Sequence, residues 1–324
     1  MLLELINKYF KEIVMSIIEI KNITKRFNDK IALDNISFDV NEGEIFGLIG
    51  PNGAGKSTLI NIMTNLMLPN NGSIVIGGID LIKNPVKVKS MIGLVPQELA
   101  IIEHLTPYDN LEYFGALYGL KGKLLKERVN EALEIAGLTE VKKKKVKKLS
   151  GGMKRRLNIV IAMLHHPKIL ILDEPTVGVD AQSRNYIFSI LKNLSKEQNT
   201  TIIYTSHYME EVENLCSKIF IIDEGREVAF GDKTYLKSLV FSNSKLILDV
   251  NSISANLIYD LKNVSGVLSV VENENSLILS VDNKFVLSKA LSVVEKNNAL
   301  IIKIFYEDYT LEDVFLNLTG KSLR

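Results

Sequence analysis

The sequence predicts an α/β domain built on a parallel β-sheet with a helical insertion, followed by a small α+β domain. Three observations carry this. The short apolar runs "KILILD", "TIIYTS" and "SKIFIID" are bounded by polar turns and read as buried parallel strands separated by helical segments. Between about 98 and 148 the apolar spacing changes to helical, as in "YDNLEYFGALYGL" and "LLKERVNEALEIAGL". From residue 240 the chain alternates as strand "KLILDV", helix "SANLIYDLKN", strands "VLSVVEN" and "SLILSVD", helix "KFVLSKALSVVEKN" and strand "LIIKIFYED". That is the β-α-β-β-α-β order of a ferredoxin-like domain, closed by a further helix, "TLEDVFLNLTG".

The expected organisation is therefore an extension at 1–15, an α/β domain at 16–239 with its helical part at about 98–150, and an accessory domain at 240–324. In the extension, Leu2, Leu5, Ile6, Tyr9, Phe10 and Ile13 fall on one helical face, while Glu4, Lys8, Lys11 and Glu12 interrupt any signal-peptide pattern. The segment reads either as a short amphipathic helix or as an extension preceding a natural start at Met15. From 16 to about 75, "SIIEIKNI", "ALDNISFDV", "EIFGLIG" and "GSIVIGG" are strand-like runs punctuated by glycine and asparagine turns.

Composition narrows the function. With 46% hydrophobic and 24% charged residues among 324, the chain has ordinary globular character rather than that of a disordered one. A net charge of +1, from 39 basic and 38 acidic residues, argues against a general nucleic-acid binder. The lysine run "VKKKKVKKL" at 141–149 reads as a solvated helix end or loop. The single cysteine, Cys216, excludes an internal disulfide and sits among apolar residues as a small hydrophobe. No run of about 18 uncharged apolar residues is long enough to span a membrane.

Two stretches carry complementary chemistry. "GPNGAGKST" at 50–58 follows a strand and precedes an apolar helix-like run, matching G-x-x-x-x-G-K-S/T in the strand–loop–helix context it requires. Gly53 and Gly55 allow the backbone to wrap a β-phosphate at a helix start. Lys56 reaches the β- and γ-phosphates, and Ser57 offers an oxygen to Mg²⁺. "KILILDEPT" at 168–176 ends a buried strand in Asp173 and Glu174, at the sheet edge where open α/β folds bind ligands. Asp173 suits the Mg²⁺ shell and Glu174 a general base for the attacking water. Past other strand ends, Gln97 can reach Mg²⁺ and the water, and His207 can hydrogen-bond a γ-phosphate. Phe27 can stack on an adenine face. His104, His165 and His166 share no metal-ligand spacing. A second helix start, "LSGGM", presents Ser150, Gly151 and Gly152 as another anion site about a hundred residues after the first.

Over about residues 16–235 the sequence resembles the ATP-binding-cassette ATPases. "GPNGAGKST" looks like the Walker A loop, Gln97 the Q-loop, "LSGGM" the signature motif and "ILILDE" Walker B. "VGVD", ending in Asp180, looks like the D-loop, and His207 like the switch histidine. The resemblance implies a P-loop NTPase cassette with an antiparallel β subdomain, an ATPase using ATP and Mg²⁺. Nucleotide contacts are then expected from Phe27, Asn52, Gly53, Ala54, Gly55, Lys56, Ser57 and Thr58. Asp180 is also expected at the nucleotide, and Ser150, Gly151 and Gly152 are expected to act on the ATP of a second cassette, in a head-to-tail homodimer or heterodimer.

Met153 stands where glutamine is usual in the signature, and Phe27 where tyrosine is usual for adenine stacking. "SGGM", "LTPYDNLEYFGALYGL" and "LEDVFLNLTG" are similar to the subgroup that serves ABC-2-type exporters. This implies a separate transmembrane permease, a location on the inner face of the cell membrane, and no nucleic-acid partner. Sugar importers rank second, since their C-terminal domain is longer and more barrel-like. A soluble cassette acting on ribosomes or nucleic acid is the rival, but it is expected to show a second cassette or long coiled coils. The aromatics Tyr108, Tyr113, Phe114 and Tyr118, just after Gln97, mark either core or the docking place of a permease helix.

Overall fold

The computed structural model describes residues 16–240, 244–274, 276–282, 284–307 and 309–320. The N-terminal extension lies outside the described residues. The chain divides into two compact units, the first ending at Asp232 and the second beginning at Lys233.

The first unit carries two sheets. Strands β1 (Ser16–Phe27), β2 (Lys30–Asn41), β4 (Asn71–Ile76) and β5 (Ile79–Asp80) form an antiparallel sheet in the order β2-β1-β4-β5. The other sheet holds β3 (Ile45–Ile49), β6 (Ile92–Val95), β7 (Ile169–Leu172), β8 (Thr201–Ser206), β9 (Lys218–Asp223) and β10 (Arg226–Asp232), in the order β10-β9-β3-β8-β7-β6. Its strands are parallel except β10, which returns antiparallel to β9. Every residue of β3, β7 and β8 is buried, as a parallel sheet covered on both faces requires. The two sheets share one core, in which Phe38 of β2 stacks on Phe46 of β3 at 5.1 Å and meets Phe220 of β9 at 4.7 Å.

Helix α1 (Lys56–Met63) follows β3, and the short α2 (Pro85–Lys89) precedes β6. The helical insertion contains α3 (Pro107–Leu117), α4 (Gly122–Ile135) and α5 (Gly151–Met163). Helix α3 starts at a capping box: the Asp109 N–H donates to Thr106 Oγ1, and the Thr106 N–H to Asp109 Oδ2. The lysine run lies between α4 and α5 in 3₁₀ turns that bury Val146 and Leu149 and expose most of its lysines. Helices α6 (Ala181–Gln198) and α7 (Met209–Leu215) complete the unit. Strand β10 is an addition to the expected elements. It is set up by a two-residue turn, Glu224–Gly225, with both residues at positive φ, +47° and +77°.

The second unit consists of α8 (Lys233–Val240), β11 (Ser244–Val250), α9 (Ala255–Lys262), β12 (Val267–Asn273), β13 (Ser276–Val281), α10 (Leu287–Lys296), β14 (Ile301–Glu307) and α11 (Leu311–Thr319). Its four strands are antiparallel, in the order β12-β13-β11-β14. One face buries Leu246, Leu248, Leu277 and Leu279 against Leu257 and Leu261 of α9 and Ala290 and Val294 of α10. The division was expected near residue 240. It falls before α8 instead, because α8 packs on α11 and so groups with the second unit.

A buried carboxylate ties the first unit together. Glu211 of α7 is 2% exposed, and its Oε2 accepts hydrogen bonds from Thr176 Oγ1 (2.7 Å), Tyr204 OH (2.8 Å) and Ser206 Oγ (3.0 Å). Its Oε1 lies 3.1 Å from Arg184 Nε of α6, out of line for a hydrogen bond. Burial and the Glu211 charge push the Tyr204 hydroxyl far above its usual pKa, so it remains a donor. Removing this acceptor takes a partner from three hydroxyls, of which Thr176 and Tyr204 keep each other at 3.1 Å, at a typical cost of about 1–3 kcal/mol per buried group left unpaired. Glu211→Ala is therefore expected to lower the thermal unfolding midpoint by several degrees, and Glu211→Gln, which keeps one acceptor oxygen, by less. Equal midpoints for all three proteins in a calorimetric scan would remove the network from the account of stability.

Candidate functional site

The loop at 50–55 leaves the buried strand β3 and enters α1 with no side-chain cap. Its last residue, Gly55, has φ +114°, and a Cβ there would stand 2.7 Å from the Ala32 carbonyl oxygen. Only glycine fits this turn. The uncapped amides of the first helical turn remain free to serve an anion, favoured also by the helix dipole. Lys56 begins the helix and is 5% exposed. Its Nζ donates to the carbonyls of Gly50 (2.7 Å) and Pro51 (3.2 Å) and lies 3.4 Å from Glu174 Oε1. Burial lowers the Lys56 pKa, while the Glu174 charge opposes that shift.

Asp173 and Glu174 follow β7 directly. Asp173 Oδ2 accepts from Ser57 Oγ at 3.1 Å, bringing two of the three expected Mg²⁺ ligands together, while the third, Gln97, turns its Nε2 to Glu174. Glu174 takes φ +46°, a left-handed conformation that turns the chain off the strand, so that both carboxylates reach α1. The hydroxyl of Thr205, at the end of β8, holds this turn. It accepts from the Glu174 N–H at 2.9 Å and lies 2.8 Å from Asp173 Oδ1.

Three groups converge on the Glu174 carboxylate, which is 8% exposed. Lys56 meets one oxygen. The other is 3.3 Å from Gln97 Nε2, which donates to it, and 3.2 Å from His207 Nδ1, which is out of line for a hydrogen bond. Gln97 follows β6, Glu174 follows β7, His207 follows β8 and Lys56 follows β3. The group thus assembles at the carboxyl ends of four adjacent strands.

A cavity of about 420 Å³ opens beside these residues, lined by Phe27, Lys30, Ala32, Asn52, Gly53, Gly55, Lys56, Ser57, Thr58, Gln97 and Glu174. Phe27 is 44% exposed at its rim, an available face for a flat ring. Ala54 does not line it: its methyl is buried and its N–H donates to the Pro51 carbonyl at 3.2 Å. Another cavity, of about 520 Å³, is rimmed by Arg128, Glu131 and His166 and contains none of the candidate site residues.

Ser150, Gly151, Gly152 and Asp180 do not line the 420 Å³ cavity either, but they form a place of their own. Ser150 caps α5, its Oγ accepting from the Met153 N–H at 3.2 Å. Asp180 caps α6, its Oδ1 accepting from the Ser183 N–H at 2.8 Å, and that bond holds its pKa low. Gly152 joins the two helix starts: a Cβ there would lie 2.0 Å from Ser183 Oγ. Sequence reasoning missed Thr205, Thr176, Arg184 and Glu211. Thr205 had a signal in its place at a strand end beside His207, whereas the Glu211 network joins nearby Tyr204 and Ser206 to Thr176 and Arg184, which are remote in sequence.

Residues 33–177 match the family described as "ABC transporter". The linearmycin resistance ATP-binding protein LnrL of Bacillus subtilis is 42% identical over 95% of this chain and 99% of its own. The Nod factor export ATP-binding protein I of Cupriavidus metallidurans is 32% identical over the same shares of both chains. Among solved structures, a dimeric post-hydrolysis state of an ATP-binding cassette bound to ADP and Pi aligns with a TM-score of 0.60. It is 28% identical and covers 66% of this chain and 98% of that one. A phosphate loop, two strand-end carboxylates and this full-length likeness lead to one conclusion: the chain belongs to the ABC transporter family, as an ATP-binding and ATP-hydrolysing subunit.

Proposed function

We propose that this subunit drives an exporter of the ABC-2 type, acting as one of a pair of cassettes on the cytoplasmic side of a separate transmembrane permease. The observation that supports the catalytic assignment is the meeting of Lys56, Gln97 and His207 on Glu174 beside the 420 Å³ cavity. The exporter reading draws on the two relatives, one named for antibiotic resistance and one for export. Among the described residues no helix is long and apolar enough to cross a membrane, so the transport path is assigned to the permease.

In this reading Phe27 stacks on adenine, the amides of residues 52–58 hold the phosphates, and Lys56 follows the γ-phosphate. Glu174 takes a proton from the attacking water, Gln97 helps place that water, and His207 contacts the γ-phosphate. Mg²⁺ fits the donor set, since Ser57 and Asp173 offer adjacent hard oxygens and leave the remaining positions to phosphate and water. Its chemistry there is to neutralise charge on the phosphate oxygens. Ser150, Gly151, Gly152 and Asp180 serve the ATP of the opposing cassette, the partner being identical or a second cassette. The C-terminal unit is a ferredoxin-like accessory domain, a reading supported by its strand order.

Glu174→Gln is expected to retain ATP binding, to lose hydrolysis by about 10²-fold or more, and to accumulate an ATP-bound dimer. A monomeric, fully active variant in size-exclusion and phosphate-release assays would refute both the base and the sandwich. Gly152→Ala, whose methyl must displace Ser183, is expected to keep nucleotide affinity within about two-fold while hydrolysis falls about ten-fold or more. Equal loss of binding and turnover would return Gly152 to a role within its own chain's site.

A further inference from the structure

We infer that two copies of this chain pair through the free edge of β14, extending the four-stranded sheet of each into one of eight strands. Among the described residues β14 is the last strand in its sheet and pairs with β11 alone. Its register there is regular from Lys303 to Glu307, without a bulge. The edge presents Ile302, Ile304, Phe305 and Tyr306, exposed by 62, 39, 45 and 54%. The one register shift lies at the start of the strand, at Ile302, so the stretch from Lys303 to Glu307 is an unbulged, proline-free and largely apolar edge, a template for another strand.

The sequence of the strand points to its own copy as the occupant. In an antiparallel pair centred on Phe305, each Lys303 stands opposite Glu307 of the other copy, and Ile304 stands opposite Tyr306. Lys303, Phe305 and Glu307 share one face, and Ile304 and Tyr306 the other, because side chains alternate along a strand. The central ring pair, two opposite-charge pairs and two apolar pairs are therefore satisfied by a single register. Within the chain, β11 sets Asp249 opposite Lys303 and Lys245 opposite Glu307, so the charges of one face alternate across the whole pairing. The contact lies wholly in the second unit and needs no nucleotide, which separates it from the sandwich of cassettes.

The test is made on the full-length, nucleotide-free protein by sedimentation. Wild type is expected to dimerise. Lys303→Glu and Glu307→Lys each set like charges opposite one another twice, and each is expected to weaken self-association about ten-fold or more. An equimolar mixture of the two restores both attractive pairs, so a heterodimer of wild-type strength is expected. Phe305→Cys is expected to form a disulfide between copies, the native Cys216 being buried. A nucleotide-free wild type that stays monomeric overturns the pairing, as does a mixture that associates no better than its components. Capture of the edge by a co-purifying membrane protein in place of the second copy overturns it too. The ATP-dependent dimer of Glu174→Gln is measured alongside with and without Lys303→Glu. Loss of either dimer alone then identifies which of the two contacts has failed.

Discussion

A carboxylate taken out of water must be met by cations or donors, or it will not stay charged. Glu174 has that need at the centre of this protein, and three neighbouring strand ends answer it. β3 leads to Lys56, β6 to Gln97 and β8 to His207, while β7 delivers Glu174 itself. The parallel sheet therefore does more than supply a core. Its fully buried strands fix the separations among these groups to within the reach of one carboxylate, and Thr205 pins the turn that aims it. A site distributed over four strands is precise only while the sheet's register holds.

Much of this was legible in the sequence because the chemistry is local there. A glycine-rich loop between a strand and a helix has one geometric solution, and Gly55 at φ +114° is where that solution forbids any other residue. Asp173 and Glu174 were readable as strand-end acids, although the left-handed turn at Glu174 was not, since most non-glycine residues avoid it. The order of the second unit followed from alternation of apolar residues. Its boundary did not, because the membership of α8 depends on a partner helix about 80 residues away in the chain. Glu211 was invisible for the same reason. Nothing near it in sequence announces that Thr176 will donate to it or that Arg184 will lie beside it.

The two helix starts, α1 and α5, illustrate how one element of physics serves two ends. α1 has no side-chain cap, which leaves its amides to a phosphate, whereas α5 is capped by Ser150. Gly152 packs α5 so closely on the start of α6 that a Cβ there would overlap Ser183. Arg184, one turn into α6, lies 3.1 Å from Glu211 in the buried network.

The uncapped start of α1 has a further consequence. With the loop holding the β-phosphate, most of its grip is on a group that ATP and ADP share, so the two nucleotides compete for the same amides. What tells them apart is the smaller set of contacts to the terminal phosphate, from Lys56 and His207 and from across the pair. The rate at which such a subunit turns over would then follow the ratio of ATP to ADP rather than the amount of ATP alone. If the loop holds the β-phosphate as proposed, the pace of the transporter reports cellular energy charge.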